Sequence, residues 1–332
     1  MSTVPQIALV GCGYWGKNLC RNFHALGALA AVIDATENGQ ATARSIAPNA
    51  IISNNFDDIL GDDQIQGVAL ATPAETHAEL AIQAMRADKD VFVEKPMALS
   101  ISDAEAIQKV ALETDRILMV GHLLEYHPAV LKLRELIYSG ELGKINYVYS
   151  NRLNFGKVRT EENILWSFAP HDVAVILRLL GQSPIEVSAS GGAYLKKDIA
   201  DVTVSNLRFS NNCRAHIFVS WLHPYKEQRL VVVGDKKMAI FNDVAAYGEK
   251  LQLYPQRVEF DGTLPILKKE DAEFVEHENT EPLREECNHF LECIQSRNQP
   301  LTNAQSGIDV LKVLHACQQS IEQNGEPVSL RN

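Results

Sequence analysis

Gly11-Cys12-Gly13-Tyr14-Trp15-Gly16 follows the apolar run Ile7 to Val10 and precedes a helical stripe of Leu19, Phe23 and Leu26. Asp34 stands 18 positions past Gly16, closing a second apolar run, Leu29 to Ile33. A G-x-G-x-x-G between strand and helix, with an acid about 20 residues on, suits a dinucleotide. Its first glycines let the backbone turn and approach a pyrophosphate, whose charge sits at the helix N-terminus. Asp34 would accept from both adenosine ribose hydroxyls and repel a 2′-phosphate, which favours NAD over NADP. The competing reading is a purely structural turn.

Other candidates sit at further run ends. Thr72-Pro73 closes the run Val68 to Ala71, with His77 following. Ligands bind at such carboxyl ends in open sheets, although a proline turn with a capping histidine reads equally well. Glu94-Lys95-Pro96 closes Val91 to Val93. The residue before a proline is extended, which aims Lys95 out of the strand end. In a partly dehydrated cleft such a lysine serves as an acid–base; alone it would be a surface charge. Trp166-Ser167-Phe168-Ala169-Pro170-His171-Asp172 opens a helix marked by Val173, Ile176, Leu177 and Leu180, placing His171 and Asp172 on its first turn. Histidine suits proton transfer near neutral pH, and Asp172 suits helix capping. Arg152, Asn154, Lys157 and Arg159 form a basic knot able to hold a phosphate or carboxylate, or else a solvated loop.

The elements that must position these groups have two grammars. Through residue 120, buried runs (the last being Ile117 to Val120) alternate with amphipathic stretches, as in a doubly wound parallel sheet. Ser102 with Glu105 reads as a capping box for the helix containing Ala104, Ile107, Val110 and Ala111. After about residue 125, longer, partly alternating segments follow: Lys144 to Leu153, Asp201 to Ser210, Cys213 to Ser220 and Gln228 to Val233. These predict an antiparallel sheet with one covered face. Helices are expected over Val130 to Ile137 and Val173 to Leu180, the latter ending at Gly181. Pro255 to Pro282 reads as a polar surface excursion. Helical spacing returns at Leu283, Cys287, Phe290, Leu291 and Ile294, and again at Ile308, Leu311, Val313 and Leu314.

The 332 residues suit about two domains, and 46% apolar with 22% charged residues indicates a globular chain. Lys plus Arg is 31 against 42 for Asp plus Glu, a net charge of -11, which argues against nucleic-acid binding. The apolar runs are far shorter than a membrane span, and no secretory signal is visible at the start. Six scattered cysteines without a C-x-x-C pair suggest reduced thiols in a cytoplasm and no metal site.

Together these motifs resemble the glucose–fructose oxidoreductase, inositol dehydrogenase and rhizopine-catabolism (Gfo/Idh/MocA) family over nearly the whole chain. The Glu94-Lys95-Pro96 element is the most specific signal, joined by the segment Gly121 to Pro128, the helix from His171 to Gly181, and Pro282 to Val328. The resemblance implies an N-terminal Rossmann domain over 1–122. Over 123–332 it implies an α/β domain with an open, mostly antiparallel sheet used for subunit contacts, hence a homodimer or homotetramer. It implies that Lys95 contacts cofactor and substrate as the acid–base, with His171 the second catalytic group. Tyr14, Trp15, Thr72, Pro73, His77 and Glu94 would line the cofactor; His122, Tyr126, Arg152, Asn154, Lys157 and Trp166 would line the substrate. Ser167 stands where the family often has aspartate, and His122 where it often has asparagine.

The activity implied is hydride transfer between NAD and a secondary alcohol or ketone of a sugar. The stretch Asn151 to Lys157 with Trp166 and Ala169-Pro170-His171 resembles members of surface-polysaccharide synthesis, which suggests a nucleotide-linked sugar or uronic acid. The alternatives are a free sugar or inositol-like polyol as substrate, NAD retained through a catalytic cycle, or a non-catalytic NAD-binding regulator.

Overall fold

A computed structural model describes residues 4–330 except 157. The chain forms two compact units, one of residues 1–126 and 281–311 and the other of 127–280 and 312–332.

The first unit runs β1 (Ile7–Val10), α1 (Gly16–Ala25), β2 (Leu29–Ile33), α2 (Glu37–Ile46), β3 (Ile51–Ser53), α3 (Asp57–Leu60), β4 (Gly67–Leu70), α4 (His77–Arg86), β5 (Asp90–Glu94), α5 (Ile101–Glu113) and β6 (Leu118–Gly121). The strands form one parallel sheet in the order β3-β2-β1-β4-β5-β6. β1, β4, β5 and β6 are buried throughout, which is why they read as unbroken apolar runs. The strand order reverses between β1 and β4, the position where such sheets open a crevice beyond the strand ends. The Gly11 turn and Thr72 both lie there. The three-residue β3 carries too little pattern to be seen in the sequence. The cap of α5 is Ser100, whose hydroxyl accepts from Asp103 N, rather than Ser102.

The second unit contains α6 (Pro128–Tyr138), β7 (Ile145–Phe155), α7 (Ile164–Leu180), β8 (Glu186–Gly192), β9 (Val202–Arg208), β10 (Arg214–Ser220), β11 (Leu222–Gly234), β12 (Met238–Asn242), β13 (Leu251–Tyr254), β14 (Arg257–Asp261), β15 (Leu264–Lys268) and β16 (Glu273–Phe274). Further along the chain lie α8 (Pro282–Ser296), α9 (Ala304–Glu322) and β17 (Val328–Ser329). The order β16-β13-β12-β11-β7-β10-β9-β8-β17 is antiparallel except for the parallel pair β7–β10. α7 packs on β7, β9 and β10. Val148, Ser150 and Arg152 on β7 are buried, while Tyr147 is exposed.

Three expectations need correction. α7 begins at Ile164, where the Asn163 side chain accepts from Trp166 N, and Pro170 lies inside it. His171 and Asp172 therefore sit in mid-helix, not on a first turn. The excursion 255–282 contains the hairpin β14–β15, turning at Gly262 with φ +61°. The domain boundary expected at 122/123 falls after Tyr126, and residues 281–311 return to the first unit. The cause is apolar burial: Phe290 on α8 packs edge-on against Phe23 and Phe92, with centroids 6.5 and 5.9 Å away. Among the described residues, no helix is long and apolar enough to cross a membrane.

Candidate active site

The glycine turn is dictated by space. Gly11 has φ +90°, and a Cβ there would lie 2.8 Å from Ala71 O. A Cβ on Gly16 would lie 1.9 Å from Gly11 O, so the start of α1 can rest on the turn only without a side chain. Gly13 opens onto free space. The N-terminus of α1 has no side-chain cap, and the positive end of the helix faces the glycine turn, although Lys17 N and Asn18 N already donate to Gly13 O and Trp15 O. Tyr14 beside the turn is 75% exposed, with Lys17 Nζ 5.5 Å from its ring centre.

Asp34 is held from several sides. Its Oδ2 accepts from Cys12 N at 2.7 Å, and Oδ1 accepts from Thr36 N at 2.8 Å and Thr36 Oγ1 at 2.7 Å. The carboxyl pKa lies below its ordinary value: burial pushes it up, and these hydrogen bonds outweigh burial. Gly39 was not anticipated from the sequence. A Cβ there would sit 2.1 Å from Asp34 Cγ, so the start of α2 passes directly over the carboxylate. These residues fit a dinucleotide: a cradle closed to side chains at Gly11 and Gly16, the positive end of a helix, and an anchored acid.

Thr72 and Lys95 mark the ends of β4 and β5. Thr72 Oγ1 bonds Thr76 Oγ1 at 2.7 Å, and Pro73 is exposed. The Lys95–Pro96 peptide is cis, and Lys95 is half-buried. Glu94 is 8% exposed and accepts from Trp15 Nε1 at 2.5 Å and from Lys95 N at 3.3 Å. Burial pushes its carboxyl pKa up to about 7, against the opposing pull of Trp15 and Lys95. Trp15 and Glu94 thus tie the glycine turn to the lysine loop, a pairing across 79 positions that sequence spacing could not reveal.

Other expected cofactor and substrate contacts lie deeper. His77 is 1% exposed, with both ring nitrogens on backbone carbonyls. His122 is 2% exposed. Tyr126 is 4% exposed, its hydroxyl bonded to Thr302 Oγ1 at 3.1 Å. Glu286 on α8 is wholly buried, and neither carboxylate oxygen has a hydrogen-bond partner among the described residues. Burial pushes its pKa well up, as do the nearby Glu94 and Glu125 charges.

In the second unit, His171 is half-buried on α7. Its neighbour Asp172 is 3% exposed and accepts from Ser150 Oγ at 2.5 Å and from Arg152 Nε at 2.7 Å. Arg152, expected on a substrate anion, instead points inward from β7 onto Asp172. Period-two alternation with Val148 and Ser150 carries that signal. Trp166 Nε1 donates to Gln318 Oε1 at 3.3 Å, and its ring meets His315 edge-on at 4.9 Å. Asn154 is half-buried and Arg159 pairs with Glu162 at 3.5 Å. Lys157 lies outside the described residues. Among the described residues of the basic knot, Arg152 and Arg159 thus each pair with an acid of the chain itself. Ser167 is 8% exposed.

Residues 6–122 match the model of an oxidoreductase family with an NAD-binding Rossmann fold, and 130–240 match the GFO/IDH/MocA C-terminal domain. The chain belongs to the Gfo/Idh/MocA oxidoreductase family. Among relatives, this Gfo/Idh/MocA chain is 26% identical over 308 residues to UDP-N-acetylglucosamine 3-dehydrogenase of Acidithiobacillus ferrooxidans, covering 92% of itself and 94% of that protein. It is 29% identical over 252 residues to 2,7-anhydro-N-acetylneuraminate hydratase of Mediterraneibacter gnavus, covering 71% of itself and 66% of that protein. A crystal structure of an oxidoreductase from Magnetospirillum magnetotacticum superposes with a TM-score of 0.82 at 29% identity, covering 95% of this chain and 100% of that one. As a Gfo/Idh/MocA protein it is an enzyme of the sugar oxidoreductase type, acting on CH–OH groups.

Proposed function

We propose that this enzyme transfers a hydride between NAD and a secondary alcohol or ketone of a nucleotide-linked sugar or uronic acid. The anchored Asp34 carboxylate carries the choice of NAD: it is ionised, buried and set beside the turn, where a 2′-phosphate would meet its charge. The sugar class is supported by the relative that acts on UDP-N-acetylglucosamine, which matches this chain over nearly its full length.

When bound, the nicotinamide supplies the hydride acceptor. The protein's part is to bind, orient and move one proton. Lys95 takes the hydroxyl proton as the carbon–hydrogen bond breaks, and His171 holds the substrate oxygen. In the opposite direction the same groups return a proton to the alkoxide. Such positioned proton transfer is worth about 10²–10⁴-fold in rate. We read the exposed face of the second sheet, with Tyr147, as a subunit contact in a homodimer or homotetramer.

The test is to incubate the pure protein with NAD and a panel of UDP-sugars, uronic acids and polyols, following nicotinamide reduction. Reduction with UDP-sugars is the expected result. The proposal fails if UDP-sugars neither bind nor reduce NAD while a free polyol does.

A further inference from the structure

His77 begins α4 and is 1% exposed, yet both of its ring nitrogens meet hydrogen-bond acceptors. Nδ1 lies 2.9 Å from Pro96 O and Nε2 lies 2.9 Å from Thr72 O. A carbonyl oxygen can only accept. A neutral imidazole has one N–H, so it would satisfy one carbonyl and turn a lone pair on the other. Only the imidazolium presents a donor to each. The two carbonyls belong to residues at the carboxyl ends of β4 and β5, and Pro96 directly follows Lys95. We infer that His77 is a positioning residue: as a doubly protonated ring it ties the Thr72 and Pro96 carbonyls together and thereby fixes the loop that presents Lys95.

Burial is the largest influence and draws the ring's pKa below its ordinary value, against the two carbonyls and the Glu75 carboxylate. The charged ring is assigned from the geometry, which sets an acceptor against each nitrogen. Two charge-assisted hydrogen bonds of ordinary length are the kind of compensation a buried cation needs. Thr72 gains a second restraint through its hydroxyl contact with Thr76. The brace thus ties two adjacent strand ends at the mouth of the sheet, where a small displacement of Lys95 would matter. A misplacement of about 1 Å can cost about 10²-fold in rate.

The kinetic side of this inference rests on the dehydrogenase reading above; the protonation side does not. The deciding measurement is ¹⁵N NMR of the histidine-labelled protein at pH 7, with the His77 signals assigned by their loss in a His77→Gln variant. Two protonated ring nitrogens are expected, and one bare nitrogen would overturn the brace. Kinetics then test its consequence. His77→Phe keeps the ring shape without donors, and its kcat is expected to fall about 10²-fold with NAD affinity nearly unchanged. His77→Gln, whose amide carries two N–H groups, should recover part of that loss. A folded His77→Phe enzyme with normal kcat, or a loss confined to NAD affinity, would contradict the positioning role. A wild-type protein that oxidises no sugar would remove the dehydrogenase reading, while the NMR spectrum would still decide the brace.

Discussion

Arg152 and Asp172 form a buried ion pair between β7 and α7, with Nε to Oδ2 at 2.7 Å and Nη2 to Oδ1 at 3.2 Å. Their side chains are 11% and 4% exposed, and Ser150 Oγ adds a third donor to the carboxylate. A pair so buried fixes geometry more than it adds net stability, since desolvation offsets much of the attraction. Asp172 adjoins His171, so the pair also sets the rotation of the helix that carries the imidazole. Removing one partner is different, because it strands the other charge.

Arg152→Met is therefore expected to destabilise the protein by about 3–5 kcal/mol in denaturant unfolding. The double variant Arg152→Met with Asp172→Leu should regain most of that loss. If Arg152→Met instead leaves stability intact and weakens only sugar-diphosphate binding, Arg152 is a ligand-binding side chain.

Gly39→Ala places a methyl group against the Asp34 carboxylate. The expected result is NAD binding weakened about tenfold, the scale of one displaced charged hydrogen bond, with circular dichroism unchanged. Unaltered NAD titration would show that Asp34 does not hold the cofactor.

Asp34→Ala should weaken NAD by about 10- to 100-fold and narrow the preference over NADP, by losing acceptors and negative charge together. Parallel fluorescence titrations with the two cofactors measure this. An equal loss for both would remove Asp34 from cofactor choice.

Glu94 gives a pH dependence of defined sign. Its folded pKa of about 7 stands above the ordinary 4.5, so the folded state favours the protonated form. The stability this contributes is complete below the ordinary value and is lost as pH rises through about 7. Wild type should therefore lose about 3 kcal/mol between pH 4 and 8 relative to Glu94→Gln, read by urea unfolding across that range. Parallel curves for the two proteins would mean that Glu94 titrates normally.

The sequence showed what is local and hid what is paired at a distance. The Gly11 turn was legible because strand, glycines and helix are contiguous, and Asp34 follows at the distance a strand and a helix impose. The six-strand sheet was legible apart from β3, whose Ile51 to Ser53 is too short to show a period. The destination of α8 was not, since contacts distant in sequence, such as Phe290 on Phe23 and Phe92 and Arg297 on Asp90, bring it back to the first unit. The early start of α7 was masked by Pro170, which reads as a helix beginning; Asn163 supplies the actual cap. Arg152 lay within reach of a stricter reading, because its alternation with Val148 and Ser150 already places it on the covered face.

The proposed reaction rests on the Lys95 amine as its acid–base. Lys95→Ala and wild type should be compared in one nicotinamide-reduction assay with a UDP-sugar, alongside NAD titration. Turnover lowered by about 10²–10⁴-fold with NAD affinity preserved is the expected result. Turnover unchanged in the variant would contradict proton transfer by Lys95.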